Sequence, residues 1–358
     1  MPTYRTDLQA IPTYSPGKPI AEVSRELGIP DICKLASNEC PVEPFAEVVA
    51  AIAAAAPDVN RYPEDSGYYL VNSLAERHGV EPAQVWLGAG STQLLGCVAL
   101  SVGGRGTSAV YAKPSFVMYA IASLVAGTEP IEVPLDEGWT HDLDAMKAAI
   151  REDTTVVYVC NPNNPTGTYR SEADMAAFID AIPAAVLVVV DEAYHDYVTA
   201  PDYATALPIA SEQENVIVTR TFSKIYGLAG LRIGYAIGDA DTIAKLKTTQ
   251  PPFSTNSVAQ VAALESLAHD GHLAERVDSN TAGRLQLEHG LTERGIEHAP
   301  SQTNFVAMAT DESAELAHRL LEQGVIVRPM GPIIRVTVGT EEENRRFLRA
   351  LDAVGFGS

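Results

Sequence analysis

Six short apolar runs restrict the fold of this chain more than any other feature. They cover residues 108–112, 131–135, 155–160, 185–190, 216–219 and 232–237, and the runs 155–160, 185–190 and 216–219 are rich in valine. Short, largely continuous apolar runs are the mark of strands buried on both faces. Residues 143–150 and 172–182 lie between them and carry helical patterns. This alternation implies an α/β fold, a mainly parallel central sheet with helices on both faces. The active site of such a sheet lies beyond the carboxyl ends of its strands.

The flanking sequence differs in texture. Residues 1–44 are Pro-rich and read as an irregular segment wrapped over a body, packing with a small domain. Helices are expected at 45–56 and 69–78, separated by the polar turn Asn60-Arg-Tyr-Pro-Glu64. After Pro251-Pro252 a long helical tract covers 257–294. Strands at 304–309, 325–328 and 333–338 then alternate with helices at 313–323 and 341–354. The expected division is an N-terminal segment (1–44), a large domain (45–250) and a smaller α+β domain (251–358).

Composition narrows the partners. At 358 residues the chain can bury a large core, and no apolar run reaches the roughly 20 residues of a membrane span. A formal charge of −21 repels nucleic acid and anionic membrane alike. The start Met1-Pro-Thr-Tyr-Arg-Thr-Asp7 has no secretory pattern. Cys33, Cys40, Cys97 and Cys160 are far apart, with no CxxC pair and no histidine at ligand spacing. Reduced thiols in a cytoplasmic protein without a metal centre are therefore expected.

Polar motifs follow three of the strands, and a fourth opens a helix. The run 155–160 leads into Asn161-Pro-Asn-Asn-Pro-Thr-Gly167, and 185–190 into Asp191-Glu-Ala-Tyr194. The run 216–219 leads into Arg220-Thr-Phe-Ser-Lys224, followed by Gly227, Gly230, Arg232 and Gly234. Gly88-Ala-Gly-Ser-Thr92 opens a helix, where free N–H groups favour an anion. Each motif alone has a plain reading: a tight turn, a helix cap, or a Gly-rich loop with a solvated lysine. Gly88-Ala-Gly-Ser91 also lacks the third glycine of a dinucleotide fingerprint. Together they describe one ligand with a phosphate, an aldehyde near a lysine and a cationic ring nitrogen facing a carboxylate. That ligand is pyridoxal phosphate.

The chain resembles the fold-type I pyridoxal-phosphate enzymes of the class I/II aminotransferase superfamily, in the histidinol-phosphate aminotransferase-like branch. The likeness runs through Leu35-Ala-Ser-Asn-Glu39, Asn60-Arg-Tyr-Pro63, Asn161–Gly167, Asp191–Tyr194, Ser223–Tyr235, Ser301-Gln-Thr-Asn-Phe305 and Arg335-Val-Thr-Val-Gly339. The resemblance implies that Lys224 bonds to the cofactor aldehyde and then moves the substrate proton. Asp191 would pair with the pyridine nitrogen, while Asn164 and Tyr194 hydrogen-bond the ring 3′-oxygen. Phe116 would stack on the ring. Ala89, Gly90, Ser91, Thr221, Ser223 and Arg232 would hold the phosphate, with Tyr62 reaching it from a second subunit. A homodimer with shared active sites is thus implied.

For the substrates, an amino acid and a 2-oxo acid, the resemblance gives Arg335 the α-carboxylate. Arg328 and Tyr14 match residues that bind a substrate phosphate in histidinol-phosphate enzymes. The short apolar loop Arg328-Pro-Met-Gly-Pro-Ile-Ile-Arg335 instead resembles aromatic amino acid aminotransferases. The expectation is transamination of Phe, Tyr or Trp with 2-oxoglutarate, with histidinol-phosphate transamination as the alternative. A decarboxylase of a phosphorylated amino acid shares the same scaffold.

Overall fold

In the computed structural model the valine-rich runs lie side by side in one sheet. The structure describes residues 2–11, 19–29, 31–269 and 271–357. In chain order its strands are β1 (Cys33–Lys34), β2 (Val85–Gly88), β3 (Ser108–Lys113), β4 (Glu129–Pro134), β5 (Thr154–Cys160), β6 (Leu187–Asp191), β7 (Val216–Thr221), β8 (Gly234–Gly238), β9 (Phe305–Ala309), β10 (Val325–Ile326), β11 (Arg328–Pro329) and β12 (Ile333–Thr337). Seven of them pair in the order β2-β8-β7-β6-β5-β3-β4. Val188 and Val190 of β6 enter the core on one face, and Leu187 and Val189 enter that on the other. A fully buried valine contributes about 1.5–3 kcal/mol. Three in succession (Val188, Val189 and Val190, all 0–1% exposed) are therefore stable only in a strand covered on both sides.

The sheet is parallel from β4 through β7, and β8 runs against both its neighbours. That reversal matters for the chemistry. Register pairs Cys160 with Asp191, Asp191 with Thr219, and Gly234 with both Thr221 and Gly88. The carboxyl ends of β5, β6, β7 and β2 therefore share one edge with the start of β8, and Arg232 returns to that edge. Gly234 permits the approach: a Cβ there would lie 2.7 Å from Ser91 N and 2.8 Å from Arg220 O.

The C-terminal part forms a three-stranded antiparallel sheet, β11-β12-β9, while β1 pairs in parallel with β10. Phe347, Leu320, Ile334 and Met308 fill its core. The helix Glu341–Ala353 starts on a capping box: Glu343 N donates to Thr340 Oγ1, and Thr340 N to Glu343 Oε2. Such a cap satisfies backbone donors that the helix leaves unpaired.

Three expectations need correction. The N-terminal segment is not wholly irregular, since Ile20–Leu27 is a helix that buries Val23 and ends at Gly28 in the left-handed conformation. The tract 257–294 divides into Ser257–Leu267 and Gly271–Glu293. The run 325–328 divides between two sheets, because β10 pairs with β1 and β11 pairs with β12. Among the described residues no helix is long and apolar enough to cross a membrane.

Candidate active site

A cavity of about 190 Å³ opens at the shared strand edge. It gathers Ser91, Phe116, Asn164, Asp191, Tyr194 and Thr221, together with Ser223, Lys224, Arg232, Arg328 and Arg335. Ala89 and Gly90 precede the helix Ser91–Val102 beside it. Tyr62 is not in the cavity of its own chain; it is 82% exposed and stacks on Phe253 with centroids 4.7 Å apart. Tyr14 lies outside the described residues.

Lys224 follows β7 and crosses to the N-terminal segment. Its Nζ donates to Asn38 O at 3.1 Å and lies 5.6 Å from the centre of the Tyr194 ring. Loss of water contact lowers its pKa from 10.5 to about 7, and the nearby Arg335 and Arg232 charges act in the same direction. At neutral pH much of this amine is free to attack a carbonyl.

Asp191 ends β6 at the floor of the cavity, only 2% exposed. Tyr119 O–H donates to Oδ2 at 2.9 Å and Ala193 N to Oδ1 at 3.2 Å. Burial pushes its pKa up to about 6, against the lowering effect of these bonds. A buried carboxylate in this state favours a cation placed against it, and a protonated ring nitrogen is one.

The opposite end is built for an anion. The helix Ser91–Val102 begins there without a side-chain cap, so its first N–H groups and positive dipole end face the site. Gly90 has φ +75°, and a Cβ on it would lie 2.6 Å from Arg232 Nη2. Arg232 Nη1 donates to Ser223 Oγ at 3.3 Å and to Ala229 O at 3.0 Å. The distribution of amine, carboxylate and anion cradle fits the aldehyde, ring nitrogen and phosphate of pyridoxal phosphate. Asn164 Nδ2 donates to the Tyr194 hydroxyl at 3.3 Å, and burial raises that phenol's pKa.

Arg335 and Arg328 face each other across the β11–β12 pair and both line the cavity. Arg335 Nη1 donates to Asn164 Oδ1 at 2.6 Å and Nη2 to Ala36 O at 2.8 Å. The apolar residues of the intervening loop go elsewhere; alternation along β12 sends Ile334 to the face opposite Arg335. Ile334 joins the C-terminal core, while Met330 and Ile333 pack with Ala299, Ala307 and Trp139. The loop that suggested a ring-binding pocket therefore contributes its arginines to the cavity and not its apolar side chains.

Two contributors escaped the motifs. Asn38, at φ +53°, donates from Nδ2 to the Tyr194 hydroxyl at 2.9 Å and offers its carbonyl to Lys224. It stands inside the quoted Leu35–Glu39 string, which was the available signal. Tyr119 is one helical turn beyond Phe116 in an apolar stretch, and nothing in the sequence marks it.

The family model for "Aminotransferase class I and II" matches residues 30–351. A histidinol-phosphate aminotransferase 1 of Thiobacillus denitrificans is 44% identical over 97% of this chain and 92% of that protein. A histidinol-phosphate aminotransferase 2 of Hydrogenovibrio crunogenus is 40% identical, over 96% and 94%. Among solved structures, the histidinol-phosphate aminotransferase of Sinorhizobium meliloti in complex with pyridoxal-5'-phosphate superposes with a TM-score of 0.89. It is 28% identical and covers 98% of this chain and 97% of that one.

Proposed function

The chain belongs to the class I and II aminotransferases, enzymes that use pyridoxal phosphate, and from that membership we propose that it transfers the amino group of histidinol phosphate to 2-oxoglutarate. The observation that carries the choice of donor is the Arg328–Arg335 pair. Two guanidiniums at paired strand positions that line one cavity suit a dianion. Histidinol phosphate has a phosphate ester and no carboxylate. The two carboxylates of 2-oxoglutarate or glutamate suit the same two guanidiniums, so one pair serves both halves of the reaction. The near full-length likeness to relatives named for histidinol phosphate supports the same reading.

Pyridoxal phosphate, once bound, supplies an electron sink that lets the hydrogen leave the amino-bearing carbon. The protein does the rest. Lys224 holds the aldehyde and, once displaced, carries the proton to and from that carbon. Asp191 keeps the ring nitrogen protonated. Asn164 and Tyr194 hydrogen-bond the ring oxygen, and Phe116 covers a ring face. Ser91, Thr221, Ser223 and Arg232 hold the phosphate with Ala89 and Gly90. The working unit is a homodimer in which Tyr62 of a second copy completes that phosphate site. Its exposure, with the exposed rings of Phe253, Tyr68 and Tyr69, supports such an interface.

The test compares kcat/KM for histidinol phosphate and phenylalanine, each with 2-oxoglutarate. Phenylalanine has one carboxylate for the two arginines, and the charge-assisted contact it lacks favours the phosphate ester by about 10–100-fold. A preference for phenylalanine would overturn the choice of donor and leave the family assignment untouched.

A further inference from the structure

A cluster of ligating side chains stands apart from the Lys224 cavity. Glu47, His269 and His272 each present a donor atom, and all three atoms lie within 4.8 Å of one another. None of these residues lines that cavity. They come from three places: the first turn of the helix Ala46–Ala55, the turn that follows Ser257–Leu267, and the start of Gly271–Glu293. The expectation of no metal centre rested on cysteine and histidine spacing within the sequence, where Glu47 is remote from both histidines.

Local structure already brings the two imidazoles together. His272 N donates to His269 O at 3.1 Å, closing a turn that brings the two imidazoles within 6.1 Å, centroid to centroid. Glu265 Oε1 lies 2.9 Å from His269 Nε2, and a carboxylate on one ring nitrogen orients the other toward a metal. The His272 ring packs against Phe45 at 4.9 Å, and Arg276 covers Phe45 at 3.9 Å from the ring centre. Two carboxylates, Glu47 and Glu265, thus stand beside two imidazoles.

We propose that Glu47, His269 and His272 form a binding site for a divalent cation of the imidazole-preferring kind, zinc first, with water in the fourth position. Two imidazoles and a carboxylate match that class and not magnesium or calcium, which prefer oxygen ligands. Tetrahedral zinc, with bonds of about 2.0–2.2 Å, needs donors about 3.3–3.6 Å apart. Closing the cluster therefore asks for movement of about an ångström. Glu47 is exposed and can supply that movement.

The ion would tie the helix Ala46–Ala55 to the elbow from which Gly271–Glu293 departs. One turn along that helix, Arg276 Nη1 donates to Ile225 O at 2.6 Å and Nη2 to Glu43 O at 2.7 Å. Ile225 is the residue after Lys224. The site is thus a staple beneath the loop that carries the lysine.

The experiment uses untagged holoenzyme, stripped of metal with a chelator, dialysed and titrated with zinc chloride by calorimetry. The expected result is one zinc per chain and a raised Tm. His272→Ala and Glu47→Gln, at exposed positions, lower the affinity at least about tenfold, with turnover unchanged. Glu265→Gln, which removes an orienting bond and no ligand, weakens binding by about 10-fold. Absence of zinc binding, or the same affinity in wild type and all three variants, overturns the proposal.

Discussion

Tyr119 donates its phenolic hydrogen to Asp191 Oδ2 at 2.9 Å from a position with no solvent exposure. Its ring is fixed by stacking on Tyr158, 4.9 Å apart and 9° from parallel. The bond favours the ionised carboxylate and so opposes the burial that raises the Asp191 pKa to about 6. In Tyr119→Phe that pKa rises further, and less of the carboxylate is charged at neutral pH. A hydrogen bond to a charged group is worth about 1.5–3 kcal/mol, so cofactor affinity falls by roughly 10–100-fold. The loss grows as pH is lowered. Cofactor titrations across pH check this, and a loss equal at every pH would assign Tyr119 a packing role only.

Lys224 sets the pH dependence of cofactor capture. Only the free amine attacks an aldehyde, and the amine loses its proton near pH 7. The rate at which apoenzyme takes up pyridoxal phosphate therefore rises through about pH 7 and levels above it. Stopped-flow absorbance measures the rate, and a midpoint near the ordinary lysine value of 10.5 would refute the assignment. Stability has a matching sign. The folded pKa is depressed, so unfolding takes up a proton between about 7 and 10.5, and apoenzyme stability gains as pH climbs through that window. Lys224→Met removes this slope. It also abolishes turnover, since loss of proton transfer alone costs on the order of 10²–10⁴-fold.

The two cavity arginines differ in what they hold. Arg335 ties Asn164 and the Ala36 carbonyl together, so Arg335→Ala disturbs the hydrogen bond from Asn164 to Tyr194 as well as substrate binding. It lowers kcat and raises KM. Arg328→Ala, at the paired position on β11, takes the second guanidinium from the cavity. KM for histidinol phosphate rises about 10–100-fold, the value of one charge-assisted contact, with kcat little changed. Steady-state kinetics of both variants separate the roles, and equal effects on kcat would contradict them.

The sequence displayed the strands and their polar ends because both are local. Valine runs predict β5, β6 and β7 without knowledge of the fold, and Asp191 and Lys224 are read from the residues beside them. What stayed hidden depends on contacts between distant segments. The reversal of β8, which returns Arg232 to the edge, is a property of pairing with β2 and β7. Met330 and Ile333 pack with Ala299, Ala307 and Trp139, residues remote in sequence, so an apolar loop suggested a pocket that the fold does not build from it. Tyr119 reaches Asp191 across 72 positions of the chain.

A buried ion pair stands directly behind the site. Glu192, 2% exposed, accepts from Arg220 Nε at 3.0 Å and Nη2 at 2.8 Å, and also from Thr205 Oγ1 and Ala206 N. Burial alone would raise the Glu192 pKa, but the Arg220 charge and these donors hold it below the ordinary value. Glu192→Ala leaves a buried guanidinium unpaired and costs about 3–5 kcal/mol. Denaturant unfolding of the holoenzyme measures it. The pair's contribution is present above the ordinary glutamate pKa and is lost as pH falls through the lower folded value. A variant as stable as wild type at neutral pH would show the pair to be dispensable.

Gly90 separates the cost of a backbone from the cost of a site. With φ +75° and ψ 163° it occupies a region essentially closed to other residues, so Gly90→Ala carries strain of about 1–3 kcal/mol. The added methyl would also lie 2.6 Å from Arg232 Nη2. That atom is the far end of a flexible side chain, so the guanidinium moves and the fold survives. The displaced arginine no longer meets the phosphate, which removes a further contact worth about 1.5–3 kcal/mol. Apoenzyme stability and cofactor affinity therefore fall by separate amounts, and Arg232→Ala reproduces the second without the backbone strain, losing only its bonds to Ser223 and Ala229 in the apoenzyme. Thermal melts of the two apoenzymes, with cofactor titrations of each, test the division. If Arg232→Ala bound pyridoxal phosphate as tightly as wild type, the anion cradle would have to be built without its arginine.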